Sequence, residues 1–556
     1  MPPINAFEED KAAVLADLRK GHFDHVEVAS RVTEARFFRY LLDQGDLKQL
    51  AASYPTPREK EEVPLWLYLA SQLTLRLHGQ QAYASLPYVL HCGGLRDALG
   101  PGQVRLTEAE DRRRLRCEGY NEKNVYERTT PCDQDFVRKL ARDTRPSALV
   151  AWYGEHVARY LQGMGAFDED GIFLVDGSYL FVPDNERYEG SSRLRFDAHG
   201  HPLSKADFEA LSPQEKDRTR WRRCYRSVFL LHLGQDSYPF AGLAVLPGKD
   251  AEQPQLRLLV DRFVGAVGQG VMKMVIVDRG FIDGATISHL KREHGVDTLV
   301  PLKKGMLDLA DAKVLAKADG KAWEVWHPPA PKPPLEPPER PASIRKREKK
   351  RQETLKQQRR EREEAPPPVL ERVELKAIRD MGLWETLDVP IQVVLMREHY
   401  SDGTVNEWNL ATTNQGLSPL EVRTRYQTRT SIEERHRHLK CFWDLTAFRS
   451  CAFSLVTAQV IFVVLAYSLL QVFLAKLERG DLNDMVRDRL LGELAFEDDK
   501  VVLYSRNRVA YLTPLEHQKE LLTLSEGARR RVLARTEQLQ ERMVPGAGQH
   551  PQRPGT

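Results

Sequence analysis

Gly171–Ser178 reads GIFLVDGS and Met274–Phe281 reads MVIVDRGF. Each is a short apolar run that ends in an aspartate and a glycine-containing turn, the pattern of a strand buried on both faces and halted at a polar end. Working outward, SVFLLHLG (Ser227–Gly234), FAGLAVL (Phe240–Leu246) and TLVPL (Thr298–Leu302) repeat the pattern, and a helix is read at about Gln255–Val267. Strands of this kind alternating with helices predict an α/β region built on a partly parallel sheet. Asp176 and Asp278 then stand at the C-terminal ends of their strands. In open α/β sheets such ends project side chains into a crevice while the strand behind holds them in place. Taken singly, each aspartate is equally what an Asp-Gly turn or a helix cap looks like.

A second stretch is more specific. Arg423–Lys440 reads RTRYQTRTSIEERHRHLK, inside a helix that the sequence predicts from about Leu417–Pro419 through Leu439. Tyr426, Arg429, Glu433 and Lys440 follow the spacing Y-x2-R-x3-E-x6-K. At about 100° per residue they fall within roughly 60° of one another on a single stripe. An aromatic, a cation, a carboxylate and a cation do not make a core-facing stripe. Glu433 is placed to join the two aspartates on metal, Arg429 and Lys440 to hold phosphates, and Tyr426 to stack or hydrogen-bond beside a DNA end. Glu434 points about 100° away and reads as a solvated or helix-pairing carboxylate. His436 and His438 are read as lying off the stripe. Ligation by carboxylate oxygens alone suits magnesium or manganese better than zinc.

The stripe, with Asp-Gly-Ser and Asp-Arg-Gly-Phe after successive strands, resembles the DDE transposases of bacterial insertion sequences, in the IS-four-like group with the Tyr-Arg-Glu-Lys signature. The resemblance covers Gly171 to Leu302 and Asn406 to Leu477. It implies an RNase H-like mixed sheet flanked by helices, with a helical N-terminal region and a β-containing insertion before the glutamate helix. It also implies Asp176, Asp278 and Glu433 as the catalytic metal ligands, holding two Mg2+ or Mn2+ ions. Double-stranded DNA is the implied partner, as terminal inverted repeats and as target, and the implied DNA-bound state is a homodimer. Two departures stand out: Thr430 occupies a position where members often carry Trp, and a Pro-rich charged tract lies inside the insertion.

The chemistry follows from the substrate. Phosphodiester hydrolysis needs a strong nucleophile and relief of charge on the departing 3′ oxygen; two metals about 4 Å apart supply both, activating first water and then the freed 3′-hydroxyl. An RNase H-fold nuclease without strand transfer, or a non-catalytic DNA-binding relic, are the alternatives the acids leave open.

The remaining chain sets the frame. Its 556 residues predict three or four domains. These are a helical region at 1–165, expected to bind DNA ends; a core at 166–302 and 406–480; an insertion at 303–405 with a Pro-rich charged linker; and a helical region with a disordered tail at 481–556, a candidate for dimerisation. A formal net charge of +3, from 82 basic and 79 acidic residues, shifts attention from global charge to local clusters. One such cluster surrounds Trp221 and Tyr225. Arg222 and Arg223 are its candidate DNA contacts, with a solvated hairpin edge as the competing reading. Another, Arg112 to Arg116, reads as a solvated helix face. Six scattered cysteines without a Cys-x-x-Cys pair argue against a zinc ribbon and a disulfide scaffold. With no secretory pattern at the start, they predict a bacterial cytoplasmic protein. The apolar run Leu455–Leu474, interrupted by Thr457, Gln459, Ser468 and Gln471, is read as a buried core helix rather than a membrane span.

Overall fold

The computed structural model describes residues 8–86 (without 24, 30–31, 44–46 and 60–63), 134–329, 368–484 (without 383–384) and 500–543 (without 506–507). The Arg112–Arg116 cluster, most of the Pro-rich charged tract and the C-terminal tail lie outside the described residues. The chain divides into two compact units, one of Met1–Phe281, Arg292–Val296 and Arg429–Thr556, the other of Ile282–Lys291 and Asp297–Thr428.

In the first unit, β1 (Glu8–Glu9) and β2 (His25–Ala29) precede the main sheet, whose strands are β3 (Ile172–Val182), β4 (Ser192–Phe196), β5 (Arg220–His232), β6 (Phe240–Pro247) and β7 (Met274–Val277). β3 pairs antiparallel with β5 from Phe173↔His232 to Val182↔Arg223, and β5 pairs antiparallel with β6. β7 then lies parallel to β3, with Val175 opposite Val277. An antiparallel three-strand meander followed by a helix and a parallel strand beside the first is an RNase H-like arrangement, as expected. All four residues of β7 are buried, which explains its unbroken apolar run.

The helix between β6 and β7, Gln253–Val267, buries Leu256, Leu259, Val260, Phe263 and Val264. That i, i+3, i+4, i+7, i+8 spacing is a single core-facing stripe. Pro254 in its first turn and Gly268 at φ 94° after its last residue mark its ends. The Phe453–Lys476 helix has no polar face: its residues from Leu455 to Leu474 are all buried, against β6 and the helices Leu65–Leu77, Gln134–Asp143 and Pro146–Trp152. It is long and apolar enough to cross a membrane, but protein covers it. Its interrupting polar groups have partners inside the fold: Ser468 Oγ accepts from the Phe240 N–H at 3.0 Å, and Gln471 Oε1 accepts from the Tyr238 N–H at 3.1 Å.

The second unit contains β8 (Asp297–Val300), β9 (Glu324–Trp326), β10 (Leu370–Met381), β11 (Ile391–Tyr400) and β12 (Val405–Thr412), joined antiparallel in the order β8-β12-β11-β10-β9. In this unit β8 and β12, both read from sequence as strands, pair with each other at Ala411↔Val300. Buried charges hold it together. Arg423 donates to Glu398 at 2.7 Å and lies over the Trp326 ring, while Arg397 lies over Trp323. Both tryptophans therefore pack within this unit.

The two ends of the chain, read as helical, also carry strands. β13 (Lys500–Ser505) and β14 (Arg508–Leu512) form a hairpin; β13 pairs antiparallel with β2, and β14 pairs parallel with β1. Val14 and Leu18 of the first helix pack with Val501, Leu503, Ala510, Leu512, Leu524, Ala528 and Val532 into one core. Residues almost five hundred positions apart thus share a hydrophobic cluster, a long-range partnership that local periodicity does not report.

Candidate active site

Parallel register brings the two aspartates together. Val175 and Val277 are opposite, so Asp176 and Asp278 are neighbours across the strand pair. Asp278 follows the last residue of β7, whereas Asp176, expected at the C-terminal end of its strand, is the fifth residue of the eleven-residue β3, which runs on to Val182. Asp278 Oδ1 accepts the Gly280 N–H at 2.7 Å, which closes the turn after β7. The third acid comes from the Thr430–Phe442 helix, which packs on β3. Arg429, its N-cap, places Nη1 3.9 Å from Asp176 Oδ1 and bonds through Nη2 to Glu433. One guanidinium thus ties the helix acid to the strand acid. Further along the helix, His436 Nδ1 lies 3.6 Å from Asp176 Oδ2, and Lys440 Nζ donates to Ser178 Oγ at 2.6 Å.

The expectation that position 436 lies off the stripe is corrected by the structure. Arg429, Glu433, His436 and Lys440 follow a 4-3-4 spacing that keeps them within about 60° on a helix. His436 sits among them, buried against Phe229, with ring centroids 5.2 Å apart. The signal is present in the spacing. His438 is also buried and pairs with Glu434 at 3.2 Å, and Arg437 bonds Glu434 too, making it the helix-pairing carboxylate expected.

The electrostatics follow from burial. Burial pushes the Asp176 carboxyl up to about 7; the Arg429 guanidinium opposes the shift, and Asp278, Glu433 and Glu252 add to it. Burial brings the Lys440 ammonium down to about 8 against the pull of Asp176. Burial, then Lys440 and Arg429, push His436 down to about 3, so its imidazole is neutral at pH 7. Asp176 is therefore an acid whose ionised form burial disfavours even beside an arginine. A divalent metal fits such a site, because carboxylate oxygens are hard donors of the kind magnesium and manganese prefer.

Sequence reading misses Glu252, which precedes the Gln253–Val267 helix. A Cβ on Gly177 would stand 2.9 Å from Glu252 Cδ and closer still to its Oε2. A Cβ on Gly280 would stand 3.0 Å from Glu252 Oε1 and 2.9 Å from Asp278 Oδ1. Arg226 Nη1 approaches Glu252 Oε2 at 3.8 Å. Burial raises the Glu252 carboxyl, with Arg226 opposing and Asp278 adding.

Other expected site residues lie elsewhere. The single helix read across Leu417–Leu439 is two helices, Pro419–Gln427 and Thr430–Phe442, separated by a turn at Thr428 and Arg429. Thr428 Oγ1 donates to the Arg425 carbonyl at 2.6 Å, a local bond that competes with the helical ladder. Tyr426 therefore ends a helix of the second unit, its ring 6.0 Å from that of Trp408. The basic-aromatic stretch is the start of β5. Its alternation sends Arg222 and Arg223 to opposite faces. Arg222 lies 3.7 Å over the Phe181 ring, whereas Arg223 bonds Asp184 at 3.4 Å and Ser191 Oγ at 3.2 Å. Trp221 is 49% exposed, while Tyr225 is fully buried and stacks on Phe453. Tyr225 is thus a packing residue, not a surface one.

The sheet order, with an antiparallel three-strand meander and a parallel strand beside the first, defines an α/β protein of RNase H-like class. Residues 170–469 match the model of the transposase DDE domain, and the chain belongs to that family. Among solved structures it is similar to the cryo-EM structure of piggyBac transposase synaptic complex with hairpin DNA, at 8% identity and a TM-score of 0.37, over 96% of this chain and 89% of that chain. A search of curated proteins finds no match.

Proposed function

We propose that the protein cleaves DNA at the ends of an insertion-sequence element and joins those ends to target DNA. In this reading Asp176, Asp278 and Glu433 are the catalytic acids and hold two Mg2+ or Mn2+ ions. The observation that carries it is the convergence of the three acids: two on adjacent parallel strands, the third tied to Asp176 through Arg429. Bound metal would activate the attacking oxygen and neutralise the departing 3′ oxygen.

The chain's own groups supply the rest. Arg429 holds Asp176 and Glu433 in place and is the nearest fixed positive charge for a phosphate approaching them. Lys440, held on Ser178, adds a second cation one turn beyond His436. His436, neutral and buried against Phe229, orients the Asp176 carboxylate rather than charging the site. Arg222 is the better placed of the two β5 arginines for a phosphate, since Arg223 is already bonded to Asp184 and Ser191 in the β3–β4 connection. Tyr426 and the N-terminal region are assigned to DNA, and the working form is a cytoplasmic homodimer of the IS-four-like type.

The test uses precut element ends, a target plasmid and Mn2+. Wild-type protein is expected to yield joined product, and Asp278→Asn to lose it by about a thousandfold or more while still binding the ends. Cleavage without any joined product would favour an RNase H-fold nuclease, and joining by Asp278→Asn at the wild-type rate would refute the assignment of the acids.

A further inference from the structure

We propose that Glu252 is a fourth carboxylate ligand of the metal site, reaching it through a gap that Gly177 and Gly280 keep open. The inference rests on the assignment of Asp176 and Asp278 as metal ligands and extends it to a residue from a different element.

The geometry is specific. Position 177 directly follows Asp176 within β3. Any side chain there would occupy the space of the Glu252 carboxylate. Gly280 serves the same end in the turn after β7, where one point lies 2.9 Å from Asp278 Oδ1 and 3.0 Å from Glu252 Oε1. The two glycines that follow the two strand aspartates therefore both border the same third carboxylate. Two acids brought this close, with Arg226 at 3.8 Å from Glu252, are costly unless a further positive charge joins them. A hard divalent cation held by Asp278 would gain another oxygen ligand from Glu252. The glycines of Asp-Gly-Ser and Asp-Arg-Gly-Phe accordingly have a steric purpose: they admit Glu252.

The test measures binding of Mn2+ alone to the full chain, by titration calorimetry with electron paramagnetic resonance of the free ion. Glu252→Gln keeps shape and removes charge. It is expected to weaken Mn2+ binding at the site at least tenfold, with an unchanged far-UV circular dichroism spectrum. Gly177→Ala retains the glutamate but fills its space, and should weaken Mn2+ binding by a similar factor. If both variants bind Mn2+ within threefold of wild type, Glu252 is not a ligand. Asp278→Asn, titrated in parallel, separates this from the underlying assignment: loss of binding there with none in the Glu252 and Gly177 variants overturns the fourth ligand alone, whereas unaltered binding by Asp278→Asn overturns the acid trio.

Discussion

Arg429 acts as a hinge of charge between two elements. It caps the Thr430–Phe442 helix, contacts Asp176 on β3 and bonds Glu433, which is 51% exposed at the side chain. A lysine there would keep the charge but lose the planar fork that reaches both carboxylates. Elsewhere on the surface the arginines differ by what they already hold. Arg222 lies on the Phe181 ring, whereas Arg223 is bonded to Asp184 and Ser191. Replacing Arg222 with Ala should weaken binding to DNA of any sequence and reduce the slope of log affinity against log salt by about one. Fluorescence anisotropy across a salt series reads this directly, and an unchanged slope would remove Arg222 from the DNA interface. At this scale the motifs around Asp176, Asp278 and Glu433 are legible in the sequence, since each is short and has its own logic. Glu252 is not. Its motif-free neighbourhood becomes meaningful only when a strand glycine and a turn glycine are seen to open onto it.

The Phe453–Lys476 helix is the element around which the first unit is built. With no polar face, it needs partners on every side. Phe462 takes Tyr54 at 6.5 Å and Tyr68 at 5.9 Å, and Phe240 packs on Tyr467 at 5.7 Å. Phe462→Ala would leave a cavity in a fully enclosed position and is expected to cost about 3–5 kcal/mol, measured by urea denaturation. A loss below about 1 kcal/mol would mean that the surrounding rings collapse into the space. Apolar runs make this helix and the strands β3, β5, β6 and β7 legible from the residues alone. The glutamate helix is legible only in part. Its stripe shows in the spacing, but the turn at Thr428 and Arg429 does not, because a threonine bonding back to a carbonyl looks like any other helical residue in a periodicity count.

At the level of the molecule, segments far apart in the chain meet. β2 near the start is hydrogen-bonded to β13 near the end, and Val14 and Leu18 share a core with Leu524, Ala528 and Val532. Truncation after residue 484 would strip β2 of its pairing strand, so amide hydrogen exchange at residues 25–29 should lose most of its protection while β3 and β7 keep theirs. Protection of 25–29 unchanged in the truncated chain would contradict the pairing.

What the sequence determined alone was local: apolar runs set the strands, a 3.6-residue period set the helices, and short motifs marked three acids. Those properties depend on neighbours within a few residues, which any stretch of sequence displays. The tertiary structure decided what depends on distant partners. It set the parallel register that brings Asp176 and Asp278 side by side, the approach of Arg429 and His436 to Asp176, the entry of Glu252 beneath Gly177, and the union of distant chain segments in one sheet. The reason is physical: strand pairing and close packing are chosen by surfaces that meet only after folding, and no local pattern records which surface that will be.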